Sequence, residues 1–187
     1  MGIIYPVILP VPEKDQILSG REKVLYLSRH ARKALAVSAR KNGFVLTELV
    51  KDDQGAPKPF DGKCWSITHK DEYVGGVVSP ARIGIDIEKI KSCSKSLFKK
   101  TASQKEWSLS DEEPDRLFFR YWTAKEAVIK ANGTGIKDLL KCNVIKIMDK
   151  NRLVVGYMDN TWIVEHFFFN GHIASVVKNS KVIEWVF

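Results

Sequence analysis

The C-terminal part of the chain constrains the fold most strongly, because short apolar segments there are separated by turn residues. Asp-Lys-Asn, Asp-Asn and Asn-Gly stand between the segments NVIKIM, RLVVGYM, TWIVEHFFF and HIASVVK, and KVIEWVF ends the chain. Turns of this composition join neighbouring antiparallel strands. The pattern therefore predicts an antiparallel strand meander.

Two longer segments repeat their apolar residues at helical spacing instead. GREKVLYLSRHARKALAVSARKNG follows Ser19, and DRLFFRYWTAKEAVIKAN precedes Gly133 and Gly135, which we expect to end that helix. Strands are predicted for residues 3–9 and for CWSIT, YVGGVVS and IGIDIE. This order of strands and helices predicts an α+β fold with antiparallel sheets.

Composition limits the classes of protein that need to be considered. The 187 residues carry a formal net charge of +8, which favours anionic partners: nucleic acid, phosphorylated small molecules or an acidic protein. Because no apolar run is long enough to span a bilayer and the N-terminus does not resemble a signal peptide, we expect a cytoplasmic protein. The three cysteines suit neither a disulfide framework nor a zinc site, so we expect buried thiols.

Two carboxylates stand out in the segment IGIDIE. Asp86 and Glu88 are two residues apart on a predicted strand, so both side chains leave the same face. Like charges held side by side repel each other unless a cation lies between them, and carboxylate oxygens suit Mg²⁺ or Mn²⁺. The alternative is a solvated strand face, with Lys89 as a nearby partner.

The second predicted helix and one strand end add further polar groups. Glu126 and Lys130 are four residues apart on one helix face, where Glu126 could complete a metal site or the two could form an ordinary surface ion pair. His69, flanked by Thr68 and Lys70, could bind a phosphate or could be a polar residue at a strand end. Dinucleotide, P-loop, hydrolase-elbow and zincin motifs are absent from the sequence.

The order of GIDIEKI and FFRYWTAKEAVIKANGTG closely resembles the 4′-phosphopantetheinyl transferase superfamily, whose signatures read approximately G[IV]D[IVL]E and W[ST]xKEAxxKxxG. Two flanking family motifs, GKP and Phe-Asn-x-Ser-His, are similar to Gly55-Ala56-Pro57 and to residues 65–69. Ala56 stands where the family has a phosphate-contacting lysine, so Lys58 is expected to compensate. The family's basic N-terminal helix resembles REKVLYLSRHARKAL.

The resemblance implies the surfactin-type, single-chain branch and a monomer. In that branch, two halves are related by a pseudo-twofold axis, each a small antiparallel sheet with helices packed on it. The halves would be residues 1–81 and 82–187, with coenzyme A in the cleft between them. Such an enzyme transfers the phosphopantetheine arm of coenzyme A to a serine of an apo acyl or peptidyl carrier protein and releases 3′,5′-ADP.

The resemblance also implies roles for individual residues. Asp86, Glu88 and Glu126 would bind Mg²⁺, with Mn²⁺ as another possible metal, and Lys130 would steady the α-phosphate. Glu126 would be the general base, with Lys130 as the alternative base. The 3′-phosphate of coenzyme A would be held by a set of polar and basic residues: Arg21, Arg32, Lys33, Lys58, Thr68 and His69.

The carrier proteins of this family are typically acidic, so the net positive charge would steer them toward the enzyme. Lys99, Lys100 and Lys105 are candidates for their docking. No nucleic acid and no membrane is expected as a partner. Two alternatives stay open: a family member without activity that serves as a scaffold, and a basic nucleic-acid-binding module.

Overall fold

The computed structural model describes residues 2–53, 55–178 and 180–187. Within these ranges, the strands are β1 Ile3–Ile4, β2 Val7–Pro10, β3 Cys64–His69, β4 Tyr73–Ser79, β5 Ile85–Lys89, β6 Asn143–Asp149, β7 Arg152–Tyr157, β8 Asn160–Phe169, β9 His172–Val177 and β10 Val182–Ile183. The α-helices are α1 Glu13–Gln16, α2 Gly20–Lys41, α3 Lys95–Thr101, α4 Gln104–Trp107 and α5 Pro114–Asn132, and a short 3₁₀ helix covers Ile136–Lys141.

The first sheet has the antiparallel order β2-β4-β3, and α2 packs across it. Ala31, Ala34 and Leu35 are fully buried on the helix face that meets the sheet. Gly76 on β4 permits this contact, because a Cβ atom there would lie 2.4 Å from the backbone nitrogen of Leu35. The helix backbone therefore lies directly on the strand.

The second sheet has the antiparallel order β5-β9-β8-β7-β6, and it contains the predicted meander. The helix α5 packs mainly against β9 and the edge strand β5. Glu113 caps the start of α5 by accepting hydrogen bonds from the backbone N–H groups of Asp115 and Arg116. Gly133 ends the helix at a φ of 73°, a left-handed conformation that glycine adopts without strain, as predicted.

The predicted α+β class is confirmed. Each half combines one long helix with one antiparallel sheet, which is consistent with the expected pseudo-twofold arrangement. The proposed boundary after residue 81 lies in the connection between β4 and β5 and stays a prediction. Among the described residues, no helix has both the length and the apolar character needed to cross a membrane.

The two ends of the chain differ from the prediction. The strand predicted for residues 3–9 divides into β1, which pairs in parallel with β10, and β2, which pairs with β4. Pro6 lies at the division and has no N–H group with which to continue a ladder. The last predicted strand shortens to β10, and Val7 pairs with Val186 beyond it. The chain's last residues thus pack on its first half.

The expectation of buried thiols was wrong for two of the three cysteines. Cys142 is buried, whereas Cys64 and Cys93 are only partly buried. Cys64 lies at the first position of β3 and Cys93 in the segment before α3, where the chain is less enclosed than in the sheet interior.

Candidate active site

The two sheets meet where β3 lies against β5. Ser66 and Thr68 are two residues apart on β3, so their hydroxyl groups leave the same face. The Oγ atom of Ser66 accepts a hydrogen bond of 3.2 Å from the backbone N–H of Ile85, and Thr68 Oγ1 donates to Asp86 Oδ1 at 3.0 Å. These two contacts hold the halves together at the predicted site.

Gly84 allows α5 to approach the start of β5. A Cβ atom at this position would lie 1.8 Å from the carbonyl oxygen of Ala127, which no side chain could accommodate. The glycine of the first signature therefore has a packing role, because it brings the strand with Asp86 and Glu88 against the helix with Glu126 and Lys130.

The three carboxylates line one cleft but differ in their partners. Asp86 is 4% exposed, and its Oδ1 atom pairs with Lys130 Nζ at 2.8 Å. Glu88 Oε1 pairs with Lys70 Nζ at 2.8 Å and accepts a hydrogen bond of 3.1 Å from the Trp122 indole. Glu126 Oε1 is buried and has no hydrogen-bond partner within the described ranges.

Burial and neighbouring negative charge raise the pKa values of two of these carboxylates, Glu126 and Glu88. Burial raises the pKa of Glu126 to about 7, with a further contribution from the charge of Asp86 and opposition from Lys130. The pKa of Glu88 is also raised, by burial and by Asp86, although Lys70 and Trp122 act against the rise. Both shifts show that the cleft concentrates negative charge in a poorly solvated place.

The chemistry of the three carboxylates fits a hard divalent cation. Asp86 Oδ2 and Glu126 Oε1 are buried oxygens without a hydrogen-bond partner in the described chain, and Mg²⁺ prefers such carboxylate ligands. In the same part of the chain, no three Asp, Glu, His or Cys side chains are grouped so that they could hold a metal ion. The complete three-ligand set therefore stays a prediction.

Three lysines and a histidine line the same cleft as the carboxylates. Lys51, Lys70, His69 and Lys130 line a cavity of about 330 Å³ together with the three carboxylates. The pKa of His69 is lowered by burial and by its three lysine neighbours. A second cavity of about 250 Å³ adjoins the first, and Lys51, Ile67, Glu126 and Lys130 line both. Such a double cavity suits an elongated anionic ligand.

The structure separates the residues predicted to hold the 3′-phosphate. On α2, Ser28 lines the cleft, and Arg21 and Arg32 lie on the same helix face as Ser28. Lys33 lies about 100° around the helix from Arg32. Lys58 lines neither cavity. Thr68 also lines the cleft, but its hydroxyl is used by Asp86. These roles in phosphate binding stay predictions.

Sequence reasoning missed Lys51. It lies in the turn-rich segment before Gly55, where no periodic pattern indicates which side chains face a cleft. Its pKa is lowered by burial and by the neighbouring charges of Arg32 and Lys130, which places it among the cations of the site.

The model of the 4′-phosphopantetheinyl transferase superfamily matches residues 82–177, a little more than half of the chain. The chain belongs to this superfamily. The matched range covers β5 through β9. It therefore includes Lys130 and the three predicted metal ligands, Asp86, Glu88 and Glu126. As predicted, the relatives support placement in the surfactin-type branch.

Three transferases illustrate the similarity. The superfamily member HetI of Nostoc sp. is 39% identical over 42% of this chain and 36% of its own length. The transferase psf-1 of Bacillus pumilus is 30% identical over 49% of this chain and 42% of its own, and gsp of Aneurinibacillus migulanus is 32% identical over 46% and 38%. The chain thus spans less than half the length of these curated relatives.

Proposed function

We propose that this chain transfers the 4′-phosphopantetheine arm of coenzyme A to a serine hydroxyl of an apo acyl or peptidyl carrier protein. One observation carries the proposal: the cleft between the halves combines the carboxylates of Asp86, Glu88 and Glu126 with a ring of cations. The cations suit the phosphates of coenzyme A, and the carboxylates suit a divalent metal and a proton acceptor. Superfamily membership supports the same reaction.

Lys130 is arranged to hold a phosphate without leaving its present partners. Its ammonium group donates to Asp86 Oδ1 at 2.8 Å and to the backbone oxygen of Ile85 at 3.1 Å. An ammonium has three donors, so one remains for a phosphate oxygen. Lys130 would thereby steady the diphosphate and the departing 3′,5′-ADP.

Asp86, Glu88 and Glu126 would hold Mg²⁺, as the chemistry of the two buried, unpartnered oxygens supports. When bound, the metal would neutralise negative charge on the diphosphate and on the leaving group. Lys70 and Lys130 line the same cavity and would supply further positive charge to the phosphates.

The reaction needs a proton acceptor for the attacking serine. The serine oxygen forms a bond to the β-phosphorus, the bond from that phosphorus to the bridging oxygen of the diphosphate breaks, and 3′,5′-ADP leaves with the electron pair. The serine proton would pass to the carboxylate of Glu126, which lines the cleft. Lys130 is the alternative acceptor, but its ammonium already donates to Asp86 and Ile85.

A basic, partly apolar groove offers a docking surface for an acidic carrier protein. Phe98, Trp107 and Pro114 contribute apolar surface to this groove of about 690 Å³, and Lys95 and Lys99 stand at its sides. Aromatic contacts run from it toward the cleft: the ring centroids of Phe98 and Phe118 are 5.1 Å apart, and those of Phe118 and Trp122 are 6.0 Å apart. Lys100 and Lys105 would extend its positive charge.

Incubation with coenzyme A, Mg²⁺ and a panel of apo carrier proteins tests the proposal. Mass spectrometry should detect one added phosphopantetheine arm on at least one carrier. HetI, assayed in parallel, establishes that the carriers are competent. If HetI loads carriers and this chain loads none of them, the proposed activity is wrong.

A further inference from the structure

Residues 50–53 and 55–58 form the two sides of a tight hairpin that fixes the position of Lys51. The backbone N–H of Asp52 donates to the oxygen of Ala56 at 2.9 Å, and the N–H of Lys58 donates to the oxygen of Val50 at 2.9 Å. Lys51 consequently stands directly opposite Pro57. A lysine at this place is held beside the segment Gly55-Ala56-Pro57, although it lies four or more residues earlier in the chain.

Lys51, Ala56 and Lys58 face different surroundings despite their proximity. Lys51 lines both cavities of the cleft, Ala56 lines only the smaller one, and Lys58 lines neither. The backbone oxygen of Lys58 accepts a hydrogen bond of 2.9 Å from the Trp65 indole. Of these three residues, Lys51 alone brings positive charge to the junction of the two cavities.

The charges around Lys51 are mostly of its own sign. Arg32 and Lys130 are its principal electrostatic neighbours, and no carboxylate oxygen in the described ranges lies within 4.0 Å of its ammonium nitrogen. Grouping cations in this way costs free energy in the empty cleft, and a bound anion removes that cost. The arrangement indicates a site for a phosphate between α2 and α5.

We infer that Lys51 is a phosphate-binding residue of the cleft and that it provides the positive charge that position 56 lacks in this chain. The inference rests on the proposed function, since the anion is a phosphate of coenzyme A. Both the 3′-phosphate and the diphosphate have the required chemistry. Lys51 feels the charges of both Arg32, a predicted 3′-phosphate residue, and Lys130, which we assign to the diphosphate.

Binding of coenzyme A to the intact chain without metal, measured by isothermal titration calorimetry, tests the inference. Lys51→Met should raise the Kd about tenfold or more, as expected for loss of one charge-assisted hydrogen bond. Lys51→Arg should bind nearly as well as the wild type. Lys150→Met is the control, because it removes the same charge at an exposed position that lines neither cavity, and it should change the Kd less than about twofold.

A second ligand, 3′-dephospho-coenzyme A, shows which phosphate group of coenzyme A Lys51 binds. If Lys51 holds the 3′-phosphate, Lys51→Met should weaken the binding of coenzyme A but leave the binding of 3′-dephospho-coenzyme A unchanged. If Lys51 holds the diphosphate, the substitution should weaken the binding of both ligands equally. The double variant Lys51→Met with Ala56→Lys should recover part of the lost affinity, because a lysine at position 56 enters the smaller cavity.

Wild-type affinity in Lys51→Met would overturn the inference and leave the proposed function standing. Equal losses in Lys51→Met and Lys150→Met would also overturn it, since they would show a general effect of charge. If the wild-type chain binds no coenzyme A, the inference and the proposed function both fail. Carrier loading is measured separately, so the two results remain distinguishable.

Discussion

Asp86 and Lys130 form an ion pair of 2.8 Å between β5 and α5, although 44 residues separate them in the chain. One belongs to the first superfamily signature and the other to the second. Because Gly84 lets α5 lie directly on β5, the two signatures become one site in the folded chain. The pair also places a cation at the carboxylate cluster.

Asp86→Asn should reduce carrier loading by about a hundredfold or more, because it removes a charge from the site of proposed metal binding. The amide keeps the shape of the side chain, so the chain should stay folded. Loading rates followed by mass spectrometry, with thermal melting of each variant, test this expectation. Asp71→Asn is the control, since Asp71 forms an exposed ion pair with Lys23. Loading at the wild-type rate by Asp86→Asn would exclude Asp86 from the site.

Lys125→Met should lower the free energy of unfolding by about 3–5 kcal/mol, because it leaves Glu106 buried without its counter-ion. The two side chains are 0% and 6% exposed and 2.7 Å apart, and Lys125 also donates to the backbone oxygen of Thr101. Urea unfolding measures the loss. Exposed Lys105→Met should change stability by less than about 0.5 kcal/mol.

Adding Glu106→Gln to Lys125→Met should restore part of that stability, since no buried charge then remains. Glu106 Oε1 also accepts a hydrogen bond from the backbone N–H of Val144 at 2.9 Å, which glutamine can preserve through its carbonyl oxygen. A Lys125→Met variant as stable as Lys105→Met would contradict the structural role of this pair.

Acidification should destabilise the protein through His166. Burial and the charge of Arg120 lower the pKa of His166 in the folded state well below its ordinary value. The unfolded chain therefore binds a proton near pH 6.5 that the folded chain does not, so this contribution to stability is complete above that pH and is lost as the pH falls. The loss should approach about 1.4 kcal/mol per pH unit below pH 6.

The difference between the wild type and His166→Asn isolates this effect, because the other titrating groups are common to both. Asparagine can keep a polar atom near Ser175, whose Oγ atom lies 2.8 Å from His166 Nδ1. Urea unfolding between pH 7.5 and 5.5 should show a steeper decline for the wild type. Parallel curves would mean that His166 is protonated equally in both states.

Gly84→Ala should cost at least about 2 kcal/mol of stability and also reduce carrier loading, because the new methyl group would displace α5 from β5. Gly2→Ala is the control, since its added Cβ atom would meet only the flexible end of the Lys181 side chain. Thermal melting and the loading assay measure the two effects. Unchanged melting of Gly84→Ala would show that this close approach is not required.

The periodic parts of the fold were predictable, and the irregular parts were not. Alternating apolar residues and short turns predicted β6 to β9 because each strand and turn carries its own local signal. The parallel pairing of β1 was missed because it depends on β10, which lies at the other end of the chain. The two-residue break between α3 and α4 was not predicted either, although Ser103 and Glu106 form a capping box at the start of α4.

The candidate site was also predictable only in part. Asp86 and Glu88 were expected on one strand face, and Glu126 and Lys130 on one helix face, from spacing alone. Their union in one cleft was implied only by resemblance to the superfamily. The partners of Thr68 and the position of Lys51 could not be predicted, because a hydroxyl can donate to any nearby oxygen and a turn-rich hairpin has no periodic face.

The sequence by itself determined the element types, the α+β class and, through its two signatures, the superfamily, because these depend on residue patterns that are short and local. Only the tertiary structure decided which charges meet. Asp86 pairs with Lys130 and Glu88 with Lys70, while Lys51 faces the junction of the cavities without a carboxylate partner in the described chain. Those relationships depend on distances between atoms far apart in sequence, which close packing of β3, β5 and α5 sets.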